Sequence, residues 1–154
     1  MIKKIIFIAW VVLLPFSMAN SSDQYQRCAA CHLPSGAGVP GAFPPLKNRV
    51  AAMAATTLGR QYLVKVINKG LMGPITIGTA HYMGVMPAQG SVYTAEQITE
   101  LLNYLVQELD QANMAEDWQA FTITEVAALL KQGGSPLSNA QLRKTLLQQQ
   151  PSLK

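Results

Sequence analysis

The chain has little with which to build several familiar kinds of site. It holds two cysteines and two histidines in 154 residues, whereas a structural zinc site takes four protein ligands. Cys28, Cys31 and His32 stand together and His81 is far away in sequence, so zinc is disfavoured. No alternation of strands with helices is readable, which argues against a thioredoxin-like dithiol. There is no long basic run and no interleaving of basic residues with aromatics, so nucleic acid is not an expected partner. The one long apolar run, Ile5 to Phe16, spans 12 residues and contains Pro15. A bilayer span takes about 20 apolar residues.

What is there begins with Cys28-Ala29-Ala30-Cys31-His32. C-x-x-C-H is the sequence form of covalent c-type haem attachment. Two thiols one helical turn apart can add to the two vinyl groups of a porphyrin, and the histidine that follows sits beneath the iron as a ligand. The N-terminus agrees with this chemistry. Lys3 and Lys4 precede the apolar run, and Ser17-Met18-Ala19 offers small residues at the positions signal peptidase reads. Residues 1–19 are therefore expected to be a signal peptide, with a retained membrane anchor as the alternative. Export to the periplasm suits covalent haem, whereas an exported C-x-x-C without haem would tend to oxidise.

Removing 19 residues leaves 135, enough for one small core and an appendage. The formal charge of +4 includes Lys3 and Lys4, so the remainder carries only +2. Its distribution is uneven. Arg27, Lys47, Arg49, Arg60, Lys65 and Lys69 face Asp23 alone between Asn20 and Ala95, while Glu96 to Glu125 holds seven acids and no base. Such blocks mark a patchy solvated surface; in an electron carrier they steer encounter with a partner, or some of the basic ones balance the haem propionates.

The chain reads as helices joined by Gly/Pro loops. A first helix, about Asp23 to Cys31, would set Tyr25 one turn before Cys28 on the haem-facing side. In the loop Leu33 to Leu46, Gly36, Gly38 and Gly41 would let the backbone pass close to a flat ligand. Leu58 to Lys69 has helical apolar spacing and ends at Gly70, a C-cap residue. A second glycine-rich loop runs from Gly70 to Gly90. Thr94-Ala95-Glu96-Gln97 is a capping box, and Ile98, Leu101, Leu102, Leu105, Val106 and Leu109 form one apolar stripe. Tyr25 is expected to meet the Leu101/Leu105 region where the two helices cross.

His81, Met83 and Met86, all in the second loop, compete as a further iron ligand. Met86-Pro87 is favoured, because the proline stiffens the loop and Gly84 lets it turn toward the iron.

In this order the C-x-x-C-H run, the spaced glycines, Phe43-Pro44-Pro45-Leu46 and Tyr82-Met83-Gly84-Val85-Met86-Pro87 resemble a class I cytochrome c over about Asp23 to Leu109. The resemblance is closest to single-haem cytochrome subunits and small periplasmic cytochromes that serve dehydrogenases and respiratory oxidases. It implies an all-α cytochrome c fold, small helices wrapped around one covalently bound haem c, over residues 20–112. It implies thioethers at Cys28 and Cys31, axial ligands His32 and Met86, a Pro44 carbonyl that accepts the Nδ1 proton of His32, and Leu46 against the haem edge. The implied function is that of an electron carrier, not an enzyme, passing single electrons between a dehydrogenase and a terminal oxidase or reductase. An enzyme or gas sensor with a displaceable ligand is the alternative, and a binding module with a structural haem a weaker one. His81 is the only histidine outside the motif, which offers no acid/base constellation for either. Residues 113–154 form an extension: Thr122-Ile123-Thr124-Glu125 opens a short helix through Leu130, and beyond Gly134 a frayed helix and a partner-docking segment both remain open.

Overall fold

The computed structural model describes residues 21–153. The expected signal peptide and its cleavage point after Ala19 lie outside the described residues. Helix α1 runs Ser21–His32, with Asp23 in its first turn, a charge that suits the N-terminal end of the helix dipole. Leu33, at φ 64°, turns the chain out of the helix. Tyr25 lies at the crossing of α1 with α4 (Ala95–Tyr104), its ring 5.7 Å from that of Tyr104 and its hydroxyl donating to Leu33 O at 2.7 Å. Tyr25 is therefore a helix-crossing residue, and it does not line the cleft that the sequence reading had it face.

The capping box of α4 is formed in both directions, Gln97 N to Thr94 Oγ1 at 3.2 Å and Thr94 N to Gln97 Oε1 at 2.9 Å. Ile98, Leu101 and Leu102 are wholly buried, and the stripe continues through a wider helical turn, Leu105–Leu109, that ends at Asp110. Asp110 is buried and accepts from Asn48 N at 2.7 Å, Ala51 N at 2.8 Å and Asn113 Nδ2 at 2.7 Å. Two of these donors stand at the entry to α2 (Val50–Ala54), a helix whose five residues are too few to show a period. Helix α3 spans Thr57–Lys69, capped by Thr56, which accepts from Gly59 N, and closed by Gly70.

Between Gly70 and Gly90 the expected loop is ordered as two nested antiparallel ladders. β1 (Leu71–Met72) pairs with β4 (Val85–Met86), Leu71 opposite Met86. Inside them β2 (Ile75–Ile77) pairs with β3 (Ala80–Tyr82). These strands are short and the fold is otherwise helical.

The C-terminal extension packs on the rest of the fold through two helices. Helix α5 (Ile123–Leu130) begins at Thr122, and Arg60 of α3 reaches Glu125 through Nε and Nη2, both at 2.6 Å, with its guanidinium 3.8 Å above the Phe121 ring. Beyond Gly134 the chain forms α6 (Pro136–Gln149), entered through a Ser135/Ser138 capping box with Pro136 in the first turn. It lies on α3 and β1, burying Asn139, Arg143 and Leu146, and the final turn buries Leu153. A frayed end does not describe this packed helix. No helix among the described residues is long and apolar enough to cross a membrane.

Candidate functional site

One wall of a deep apolar cleft is the last turn of α1 and the loop that follows. Cys28, Cys31 and His32 share a helix face by their spacing of three and four, and all three line the cleft. The loop then folds back on itself. Gly38 N donates to His32 O at 2.9 Å, Val39 and Phe43 pair across a tight turn, and Leu46 N and Lys47 N both donate to Gly36 O at 2.8 and 3.0 Å. This closure sets Pro44 O 2.7 Å from His32 Nδ1. A carbonyl can only accept, so Nδ1 carries the proton and Nε2 keeps its lone pair. Burial holds the His32 pKa below its ordinary value, against the opposing pull of the Pro44 carbonyl, and so favours the neutral ring. Burial also pushes the Cys28 thiol up to about 11, partly offset by Arg27.

Gly38 is not among the residues that line the cleft, and the backbone of its own loop requires it to be glycine. It sits at φ 65°, and a Cβ there would stand 2.4 Å from Phe43 O and 2.7 Å from Pro44 O. The close approach foreseen for the spaced glycines is, at Gly38, an approach of the chain to itself.

The facing wall comes from the ladders. Met86 lines the cleft, with Leu71, Tyr82 and Val85 about it. The other two candidates do not. His81 is exposed on β3, its Nδ1 3.1 Å from Thr76 Oγ1, and Met83 is 78% exposed. Leu46, half-buried, borders the cleft on the first wall, while Val50, Met53, Leu63 and Val66 of α2 and α3 form its floor.

The cleft also holds charged residues that sequence reasoning placed elsewhere or passed over. Arg49, counted there among the basic surface residues, is 7% exposed, lines the cleft and donates through Nη2 to Leu153 O. Arg143 of α6 reaches the same cleft, and its buried Nη2 has no partner among the described residues. Burial lowers the pKa of both guanidinium groups, and that of Arg49 is lowered further by Arg143. Tyr62 beside them is pushed up to about 12, mainly by burial. Among the described residues no carboxylate lines the cleft. Two buried cations with no acid beside them there, one with an orphaned donor, suit an anionic group entering from outside the chain. The only sequence signal for Arg143 is its position three residues before Leu146, legible once α6 is known to bury that face.

Paired thiols, a neutral imidazole with its Nε2 lone pair, a thioether on the opposite wall, apolar surfaces and a cationic edge together fit a flat macrocycle that bears a metal, two vinyl groups and two carboxylates. Comparison with known proteins agrees. The chain belongs to the cytochrome c family, whose model, described as Cytochrome c, matches residues 18–108. It is 36% identical over 116 residues to a cytochrome c-552 of Thermus thermophilus, covering 75% of this chain and 78% of that one. It is 37% identical over 111 residues to another Thermus thermophilus protein named cytochrome c-552, covering 72% and 84%. The chain is thus a class I c-type cytochrome, an electron carrier with covalently bound haem c.

Proposed function

We propose that this member of the cytochrome c family is an exported carrier of single electrons, in which Cys28 and Cys31 hold the haem by thioether bonds and His32 and Met86 bind its iron from opposite faces. The observation that carries the reading is the cleft itself: Cys28, Cys31 and His32 on one wall and, of three candidate ligands, Met86 alone on the other. Haem c, when bound, supplies a one-electron ferric/ferrous couple.

The chain's residues tune and enclose that couple. The Pro44 carbonyl fixes the His32 ring and increases its donor strength. Two uncharged ligands and an apolar floor favour the less charged ferrous site, and so a positive potential. Leu46 packs at the haem edge. Arg49 and Arg143 take the propionates, which answers the unpaired charge in the cleft. With both His32 and Met86 holding the group, no position would be left for a substrate, and the chain would pass electrons without binding one. Its partners are redox proteins, a periplasmic dehydrogenase on one side and a terminal oxidase or reductase on the other. The location is the periplasm, with membrane attachment only where the N-terminal segment is retained.

Attachment and ligation are tested separately. After denaturation and acid-acetone extraction the mass of the chain should include one haem, and Cys28→Ser or Cys31→Ser should leave one linkage and a low yield. Met86→Leu should abolish the far-red sulfur-to-iron band of the ferric form, lower the potential and open the ferrous form to CO. An unchanged spectrum in Met86→Leu, with the band lost in Met83→Leu or a bis-histidine signature lost in His81→Ala, would reassign the ligand. CO binding by the unaltered protein would favour the enzyme or gas-sensor reading instead.

A further inference from the structure

We infer that Asn139 is a positioning residue for Met86, so that the C-terminal extension governs how readily the sixth ligand leaves the iron. The inference rests on Met86 being that ligand. Asn139 lies in the first turns of α6 and is 1% exposed, yet its carboxamide serves neither α6 nor the cap at Ser135. Its Nδ2 donates to Lys65 O at 2.9 Å and to Gly70 O at 2.7 Å, joining the last turns of α3 to the entry of β1. Gly70 O lies past the helix end, where no intrahelical donor reaches it.

From Gly70 the path to Met86 is one contact long. Gly70 stands at φ 76°, and a Cβ there would meet Met86 O at 2.3 Å and Ala88 N at 3.0 Å. Leu71, the next residue, pairs with Met86 across the β1–β4 ladder. After Pro87 the chain returns to the same helix end, Gln89 N donating to Ile67 O at 2.8 Å and Gly90 N to Asn68 O at 3.1 Å. Met86 therefore hangs between two anchor points on the end of α3, and Asn139 fixes the one that leads into β1. A ladder of two residues a side supplies too few bonds to hold its own register. The external clamp supplies what the ladder lacks.

Only part of what the two Nδ2 bonds contribute reaches global stability. The amide Oδ1 is buried without a partner among the described residues, a cost that offsets some of their contribution. A leucine of similar size would remove the bonds and the unpaired Oδ1 together, and would leave Gly70 O without a donor. The expected deficit is thus in the orientation of β1 and β4, more than in the packing of α6.

The test is a titration of the ferric holoprotein with imidazole, which competes with Met86 for the iron and is followed by loss of the far-red band. Asn139→Leu should bind imidazole roughly tenfold more tightly than the parent, equivalent to about 1.4 kcal/mol. Asn139→Ser, with a shorter polar group, should fall between and serves if the leucine variant does not fold. Leu146→Ala, a cavity in the same helix remote from Gly70, should lower the unfolding midpoint and leave imidazole affinity within about twofold of the parent. The inference is overturned if both Asn139 variants titrate like the parent, or if Leu146→Ala moves the affinity as far as they do. A parent band that survives Met86→Leu would instead remove the underlying ligand assignment, which keeps the two failures distinct.

Discussion

The wall that carries His32 is built from one continuous stretch, residues 28–49, while the wall that carries Met86 is assembled from the end of α3, two short ladders and α6. In the first, the hydrogen bonds that close the loop about His32 span 12 residues or fewer: Gly38 N to His32 O, Leu46 N to Gly36 O, His32 Nδ1 to Pro44 O. In the second, Met86 is held by partners drawn from three parts of the chain, with Asn139 contributing from a separation of 69 residues to Gly70. Local closure makes a wall stiff and sensitive to single backbone changes. Distant closure makes a wall adjustable, and ties its geometry to the global packing of the chain.

The largest expected effect follows from the local wall. Gly38→Ala puts a side chain into the left-handed region, at about 1–2 kcal/mol, and into collision with two backbone carbonyl groups. Denaturant unfolding of the holoprotein should show a loss of roughly 4 kcal/mol, with a raised potential as the Pro44 to His32 bond opens and the imidazole becomes a weaker donor. Gly41→Ala is the control, since it has a similar φ of 77° but open space around its Cβ. It should lose only about 1–2 kcal/mol and keep its potential. Equal losses in the two variants would mean that the loop is not closed on itself as described.

Next in size is the joint between the first wall and the rest of the fold. Asp110→Ala leaves Asn48 N and Ala51 N without their acceptor, at about 1–3 kcal/mol for each buried donor that water cannot reach. A stability loss of about 3 kcal/mol is expected, accompanied by faster amide exchange in α2. Exchange unchanged in α2 but faster across α6 would place the joint elsewhere.

The tie from α3 to α5 gives a smaller, pH-dependent effect. Hydrogen bonding to Arg60 holds the Glu125 pKa below its ordinary value of 4.5. Because the folded pKa is the lower one, this contribution is complete above 4.5 and is lost as pH falls through the folded value. Glu125→Gln should therefore flatten the stability profile on the acid side of 4.5 and leave the slope near neutrality unchanged. A variant that keeps the parent's acid slope would show that other carboxylates set it.

The difference between the walls also explains what could be read from the sequence. Cys28, Cys31 and His32 are adjacent, and the turn that brings Pro44 to His32 is short, so motif and resemblance reach them. The α4 stripe is legible because the buried positions of the helix are apolar at all but Thr99. Helix α6 hides its role because its buried face runs Asn139, Arg143, Leu146, two polar residues and one leucine, and no hydrophobic period survives that mixture. The ladders are two and three residues long, below the length at which alternation can be seen. Met86 could be preferred to His81 and Met83 on loop chemistry, but the pairing that puts Met86 in the cleft and leaves Met83 outside is a tertiary fact. Arg49 was legible as a charge and not as a buried one, since nothing local to it announces that Leu153 returns to accept its bond.

The smallest expected effect concerns the outer edges of the two walls, where a partner would meet them. Of the six cations that made this half of the chain basic, Arg49 is buried in the cleft and Arg60 is bound to Glu125, which leaves Arg27 and Lys47 exposed and Lys65 and Lys69 half-buried along α3. The steering field is therefore weaker than the sequence count suggests. Beside it the rims of both walls are apolar, with Phe43 on one and Met83 and Val85 on the other. Charge acts at a distance and rim contacts only on touching, so the two separate by ionic strength, whose screening length is about 8 Å at physiological salt. Lys65→Glu with Lys69→Glu should slow the bimolecular rate with an acidic redox partner a few-fold at low salt, converge with the parent at high salt, and leave the potential nearly unchanged. A rate indifferent to salt and to both reversals would transfer the docking role to the apolar rim, where Val85→Ser should then slow transfer at every ionic strength.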